Sequence, residues 1–175
     1  MAIDGEKAEY WLKQLDKSPR GQRAMGFFLE GYNCTQAVVL SFADLIGMEK
    51  KTLLRMSSSF GGGMGRLREV CGAVSGMFLV AGFLYGYDTP GAAGQQDKAA
   101  HYARIQELAG EYRAVNGSIV CRELLGLKVE GADHPTPEPR TPEYYKKRPC
   151  EQVIGIAAAI MEKYVEEHPL QENPA

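Results

Sequence analysis

The sequence predicts an all-α fold: a single domain over residues 1–175, built as a bundle of about six main helices around a central Gly-rich apolar helix. Three observations support this. Apolar residues recur at helical spacing along most of the chain, and no alternating, strand-like segment repeats. Helix start and stop residues bound these segments: Ser18-Pro19 and Asn33 at starts, Gly47 and Asn116-Gly117 at ends. Eighteen uncharged residues, Val70 to Tyr87, suit a helix enclosed by others.

The elements follow in order. Lys7–Leu15 carries Tyr10, Trp11 and Leu15 on one face, and Ser18-Pro19 opens a second helix with Ala24, Phe27 and Phe28 in period. Gly31-Tyr32 breaks that helix. Asn33 starts the next, which is expected to run to about Ile46 and stop at Gly47. Glu49–Phe60 reads as a fourth helix. The run Phe60-Gly61-Gly62-Gly63-Met64-Gly65 cannot continue it, because clustered glycines favour a turn. An apolar helix near Glu69–Tyr85 follows, with Gly72 and Gly76 placed to let a neighbouring helix approach closely. At slightly under the roughly 20 apolar residues of a transmembrane helix, a membrane span is unlikely. Gln96–Val115 is long, with Ala100, Ala103, Ile105, Leu108 and Tyr112 available for burial. A short helix Ile119–Leu125 is expected, capped by Ser118. Residues 126–149 hold five of the nine prolines and read as a strap across the surface, with Tyr144 and Tyr145 packing inward from a turn opened by Thr141-Pro142. A flexible linker is the plainer reading of that stretch. The last helix, Cys150–Glu167, offers Val153, Ile154, Ala157, Ile160 and Met161 to the core.

Four cysteines, Cys34, Cys71, Cys121 and Cys150, each fall at an expected helix start. Asn33 is the predicted N-cap for Cys34, with Gln36 as its reciprocal partner. Cys71 follows the glycine run, Cys121 lies in a first turn, and Pro149 at the first helical position makes Cys150 the second residue. The positive end of a helix favours thiolate over thiol, so four such positions suggest one shared site for a metal cluster or redox chemistry. The gaps are long and contain no C-x-x-C, so tertiary folding must assemble the site. Four thiolates can hold an iron–sulfur cluster or a zinc ion, and two close pairs can cycle between dithiol and disulfide. The plainest alternative is four buried, inert small hydrophobes.

The glycine run does not fit a nucleotide loop: Gly65 is followed by Arg66-Leu67, and no strand precedes it. Gly62 and Gly63 instead suit tight backbone packing beside Cys71, with N–H groups available to a cofactor. His101, His134 and His168 are scattered and read as ordinary surface or core residues. Hydrophobic residues make up 45% and charged residues 24%, with a formal net charge of −2, the balance of a soluble protein without a nucleic-acid partner. Met1–Glu6 lacks the basic start and apolar run of a signal peptide, so a cytoplasmic setting is expected, where persistent cysteines serve metal or redox roles more often than structural disulfides.

Taken together, Gly31-Tyr32-Asn33-Cys34-Thr35-Gln36-Ala37-Val38, Phe60-Gly61-Gly62-Gly63-Met64-Gly65, Cys71-Gly72-Ala73-Val74-Ser75-Gly76 and the single Cys121 and Cys150 resemble the C_GCAxxG_C_C family of redox-active proteins. The resemblance runs from about Tyr32 to Met161. It implies a small helical prokaryotic protein with a redox or iron–sulfur role and supplies neither substrate nor electron partner. The resulting expectation is a redox protein whose four cysteines converge, with about 31–161 as the four-cysteine core. They ligate an iron–sulfur cluster for electron transfer, with Gly62 and Gly63 beside it. A metal-free thiol–disulfide protein and a helical interaction protein with inert cysteines are the alternatives. The redox partner is unknown, and a homo-oligomer is left open.

Overall fold

The computed structural model describes residues 3–128 and 131–170. Ten right-handed α-helices lie among them, with one 3-10 turn, Ser58–Phe60, and no strand. Seven helices carry the architecture: Gly5–Leu15, Pro19–Leu29, Cys34–Leu40, Lys50–Ser57, Gly72–Tyr85, Gln95–Asn116 and Cys150–Glu167. The other three, Ala43–Ile46, Cys121–Leu124 and Pro142–Lys146, are single turns.

The core is formed where Cys150–Glu167 packs along Pro19–Leu29 and where Gly72–Tyr85 packs along Cys34–Leu40. Cys150–Glu167 buries Val153, Ile154, Ala157, Ile160 and Met161, the face its periodicity selects. Gly72–Tyr85 is buried over its first six residues and again at Val80 and Ala81, with Phe78 and Leu79 half-buried between. A Cβ built at Gly76 would lie 2.8 Å from Val38 Cβ and 3.0 Å from the Thr35 carbonyl, so this glycine sets the distance between the two helices. No described helix is long and apolar enough to cross a membrane.

Several boundaries differ from the sequence reading. The expected helix from Asn33 to Ile46 is two, Cys34–Leu40 and Ala43–Ile46. At the break, the Arg20 guanidinium donates to the Ser41 carbonyl at 2.6 Å, and fully buried Phe42 turns into the core. Long-range contacts thus end a helix that no glycine or proline interrupts. Gln95–Asn116 buries Leu108, Ala109, Tyr112 and Val115, but Ala100 and Ala103 are exposed. At 22 residues, roughly 33 Å long, its first half outruns the core. Tyr10 is also exposed, while Trp11 and Leu15 are buried.

The proline-rich strap is tied down along its described length, 131–149. The Asp133 N–H donates to the Arg66 carbonyl at 3.0 Å. Arg140 donates to the carbonyls of Phe28 at 2.7 Å and Tyr32 at 3.0 Å. Thr141 caps the single turn that half-buries Tyr144 and Tyr145, and Tyr145 meets Phe28 edge to face.

Candidate functional site

Each cysteine is placed by a local device. Asn33 caps Cys34–Leu40 through the predicted capping box, accepting from the N–H groups of Thr35 and Gln36 while Gln36 accepts from the Asn33 N–H, and Cys34 is the first helical residue. Cys71 is the N-cap of Gly72–Tyr85. Cys121 is the first residue of Cys121–Leu124, and its N-cap is Val120 rather than Ser118, whose hydroxyl accepts from the Val120 N–H instead. Pro149 is the N-cap of the last helix, which makes Cys150 its first residue, not its second.

Two of the four are also fixed to each other through the backbone. Val70 and Val120 form an isolated antiparallel bridge. Around it the Cys71 N–H donates to the Ile119 carbonyl at 2.8 Å, and the Cys121 N–H donates to the Glu69 carbonyl at 2.6 Å. The glycine turn makes this approach feasible. Gly62 and Gly63 hold left-handed φ values of 68° and 70°, and a Cβ on Gly63 would lie 2.6 Å from Cys121 Cβ. A Cβ on Gly72 would lie 2.2 Å from Cys34 Sγ, so this glycine makes room for the first sulfur.

All four cysteines line one cavity of about 80 Å³. Cys71 and Cys121 are buried in it; Cys34 and Cys150 are half-buried. None is paired in a disulfide. Among the described residues, no three His, Cys, Asp or Glu side chains are close enough to hold one metal ion. Gly62 lines the same cavity, and its N–H donates to Cys34 Sγ at 3.4 Å. Gly63 does not line it but backs Cys121. The three histidines lie elsewhere: His168 stacks on Tyr164, His101 meets Tyr87, and His134 lies in the strap.

The rest of the lining was not legible as a site. Arg68 is 3% exposed and adopts a left-handed φ of 62°. Its Nη1 donates to Cys121 Sγ at 3.9 Å, and its Nη2 pairs with Asp133 of the strap at 2.6 Å. That contact holds the Asp133 carboxyl down to about 2. The Tyr112 hydroxyl, fully buried, donates to Cys71 Sγ at 3.8 Å. Arg140 and Arg148 complete the rim, Arg148 stacked over Tyr144 at 4.8 Å. Thr35 and Ser75, near the starts of the helices that follow Cys34 and Cys71, have buried hydroxyls with no hydrogen-bond partner among the described residues.

The thiols do not behave as helix-start positions alone would have them. Burial pushes the Cys34 thiol up, against the Gly62 N–H that lowers it. Burial, with Cys34 nearby, pushes Cys71 far up. Burial and Cys34 push Cys150 up to about 12, with Arg148 opposing. The expectation of ready thiolates is therefore corrected for these three cysteines: desolvation outweighs the helix-end charge, and they rest as thiols at neutral pH.

No curated protein and no solved structure matches the chain. A family model does, over residues 32–164, a span that includes all four cysteines, the glycine turn and most of the last helix. The chain belongs to that family, whose description is "Putative redox-active protein (C_GCAxxG_C_C)".

Proposed function

We propose that this is an electron-transfer protein in which Cys34, Cys71, Cys121 and Cys150 hold an iron–sulfur cluster. The observation that carries the reading is that all four cysteines line one cavity. They are neither paired nor drawn together around a single ion. A structural zinc needs four ligands within about 2.3 Å of one point, and a disulfide needs Cα atoms about 4.4–6.8 Å apart. Cys34, Cys71, Cys121 and Cys150 would each supply one thiolate to an iron–sulfur cluster, which would provide one-electron chemistry there. An all-sulfur donor set also suits iron–sulfur chemistry.

When bound, such a cluster supplies one-electron transfer. The chain's own part is to tune and enclose it. The Gly62 N–H, the Arg68 guanidinium and the Tyr112 hydroxyl each donate to a different cysteine sulfur. Donors on sulfur, and a buried positive charge, favour the more negative reduced form and so raise the potential. Because the resting thiols hold their protons, loading must release them, and affinity rises with pH. This reading sets the protein in a reducing, cytoplasmic compartment with a redox partner still to be identified.

Anaerobic reconstitution with iron and sulfide tests the reading. Wild type should take up iron and absorb in the visible range. Cys34→Ser should greatly reduce both, because a hydroxyl is a poor soft-metal ligand, and the other three serine variants should behave alike. Wild type that takes up no iron while its thiols cycle reversibly would establish the dithiol alternative. Serine variants that lose only modest stability, in a protein with neither behaviour, would mark the cysteines as inert.

A further inference from the structure

A groove of about 280 Å³ opens beside the sulfur cavity, between the glycine turn and the strap. The two share Asn33, Gly62, Arg68, Arg140, Tyr144 and Arg148 in their walls, so they are contiguous. Four guanidinium groups line the groove, those of Arg66, Arg68, Arg140 and Arg148, and Glu138 is the one carboxylate in its described lining. Asp133 pairs with Arg66 at 2.8 Å and Arg68 at 2.6 Å from the strap side. Four positive charges thus meet two negative ones, in a chain whose formal net charge is −2. The excess is local, not a reflection of a basic protein.

The two outer arginines are held ready. Arg140 donates to two carbonyls and lies over the Phe28 ring at 4.5 Å, contacts that orient the guanidinium without neutralising it. Arg148 is flattened against Tyr144, and among the described residues it donates through Nη2 alone, to Glu138 at 2.5 Å. Glu138 is itself half exposed, so the groove already holds a carboxylate that solvent, or a ligand, can displace. A guanidinium fork matches carboxylate and phosphate oxygens, and a concave site with excess positive charge concentrates anions.

We propose that this groove binds a small oxyanion, a carboxylate or a phosphate, between Arg140 and Arg148, in competition with the Glu138 carboxylate. Arginines serving only to staple the strap would not need the excess charge: Arg140 alone already holds the Phe28 and Tyr32 carbonyls. The site puts the anion beside the four sulfurs, where a redox centre would meet its substrate. It stands on the arginines and does not depend on a cluster.

Titration calorimetry on the full-length, metal-free chain at low ionic strength tests it, with inorganic phosphate in one arm and succinate in the other. Saturable binding is expected, and the tighter arm identifies which oxyanion the groove prefers. Arg148→Gln should weaken binding about tenfold, the value of one charge-assisted contact. Glu138→Gln should strengthen it severalfold by removing the internal competitor, a gain that a merely structural Glu138 would not produce. Circular dichroism checks the fold of each, and if Arg148→Gln does not fold, the surface variant Glu138→Gln decides. No saturable binding of either anion by wild type or Glu138→Gln would overturn the proposal. So would binding that neither substitution changes. Because no iron is present, failure here leaves the cluster reading standing, and failure of iron uptake leaves this one standing.

Discussion

Two glycine-rich regions lie within twenty residues of each other, and they use the same residue for opposite reasons. In the turn Gly61–Gly65, glycine is needed for backbone direction, since Gly62, Gly63 and Gly65 hold φ values of 68°, 70° and 62°. In the helix Gly72–Tyr85 the backbone is ordinary, and Gly72 and Gly76 are needed for space, against Cys34, Thr35 and Val38. One region aims the chain so that Cys121 can approach; the other lets two helices close until Cys34 fits against Gly72. The site needs both, and a glycine's role follows from what a Cβ there would meet.

Substitutions separate the two roles. The largest effect is expected at Gly76→Leu, which must push apart helices already in contact. It should cost at the upper end of roughly 1–3 kcal/mol, read from denaturant midpoints. Wild-type stability would mean that the helices are not held at this distance. Gly63→Ala comes next and combines both penalties, a left-handed φ worth about 1–2 kcal/mol and a Cβ 2.6 Å from Cys121. It should also impair iron uptake, whereas Gly76→Leu should do so only through lost stability. Gly82→Ala lies in the same helix as Gly76, but a Cβ there meets nothing within 4 Å. It should stabilise by about 0.4–1 kcal/mol through helix propensity and a stiffer unfolded chain. A destabilised Gly82→Ala would break the distinction between crowded and open helical glycines.

A fourth effect is in pH. The Cys150 thiol is raised by burial from its ordinary value of 9.0 to about 12. A raised folded pKa means that the folded state keeps its proton where the unfolded chain has lost it. Stability from this group is therefore complete below about pH 9 and declines as pH rises toward 12. Chemical denaturation at pH 8, 9.5 and 11 should show that fall, and Cys150→Ser should make it shallower. An unchanged slope would place the alkaline loss elsewhere, in Cys71 or the tyrosines.

What could be read in advance was local. The capping box at Asn33 and Gln36 is a four-residue pattern, and the left-handed ends at Gly47 and Gly117 are single-residue signals; all three are present. The same holds for the buried face of Cys150–Glu167. The break at Ser41-Phe42 escaped because Arg20, from another helix, takes the Ser41 carbonyl. Arg68 escaped because nothing nearby marks an arginine for burial; Cys121 and Asp133, more than fifty residues away, decide it. The state of the thiols is hidden from the sequence for the same reason. A helix start is visible in sequence, but the desolvation that overrides it depends on what folds over it. In the strap, Arg140 and Arg148 offered one usable signal: arginines among prolines in a segment expected to cross the surface.

The bridge between Val70 and Val120 has a consequence for how the four sulfurs share adjustment. Cys71 and Cys121 adjoin the bridged pair, and main-chain hydrogen bonds set their separation. They act as the fixed jaw of a vice. Cys34 and Cys150 each ride on the first residue of a separate helix, and both reach partway to solvent. They form the other jaw, whose position is set by how their helices pack, for Cys34 through the close approach at Gly72 and Gly76. The frame of four sulfurs is therefore set half by main-chain pairing and half by the packing of separate helices.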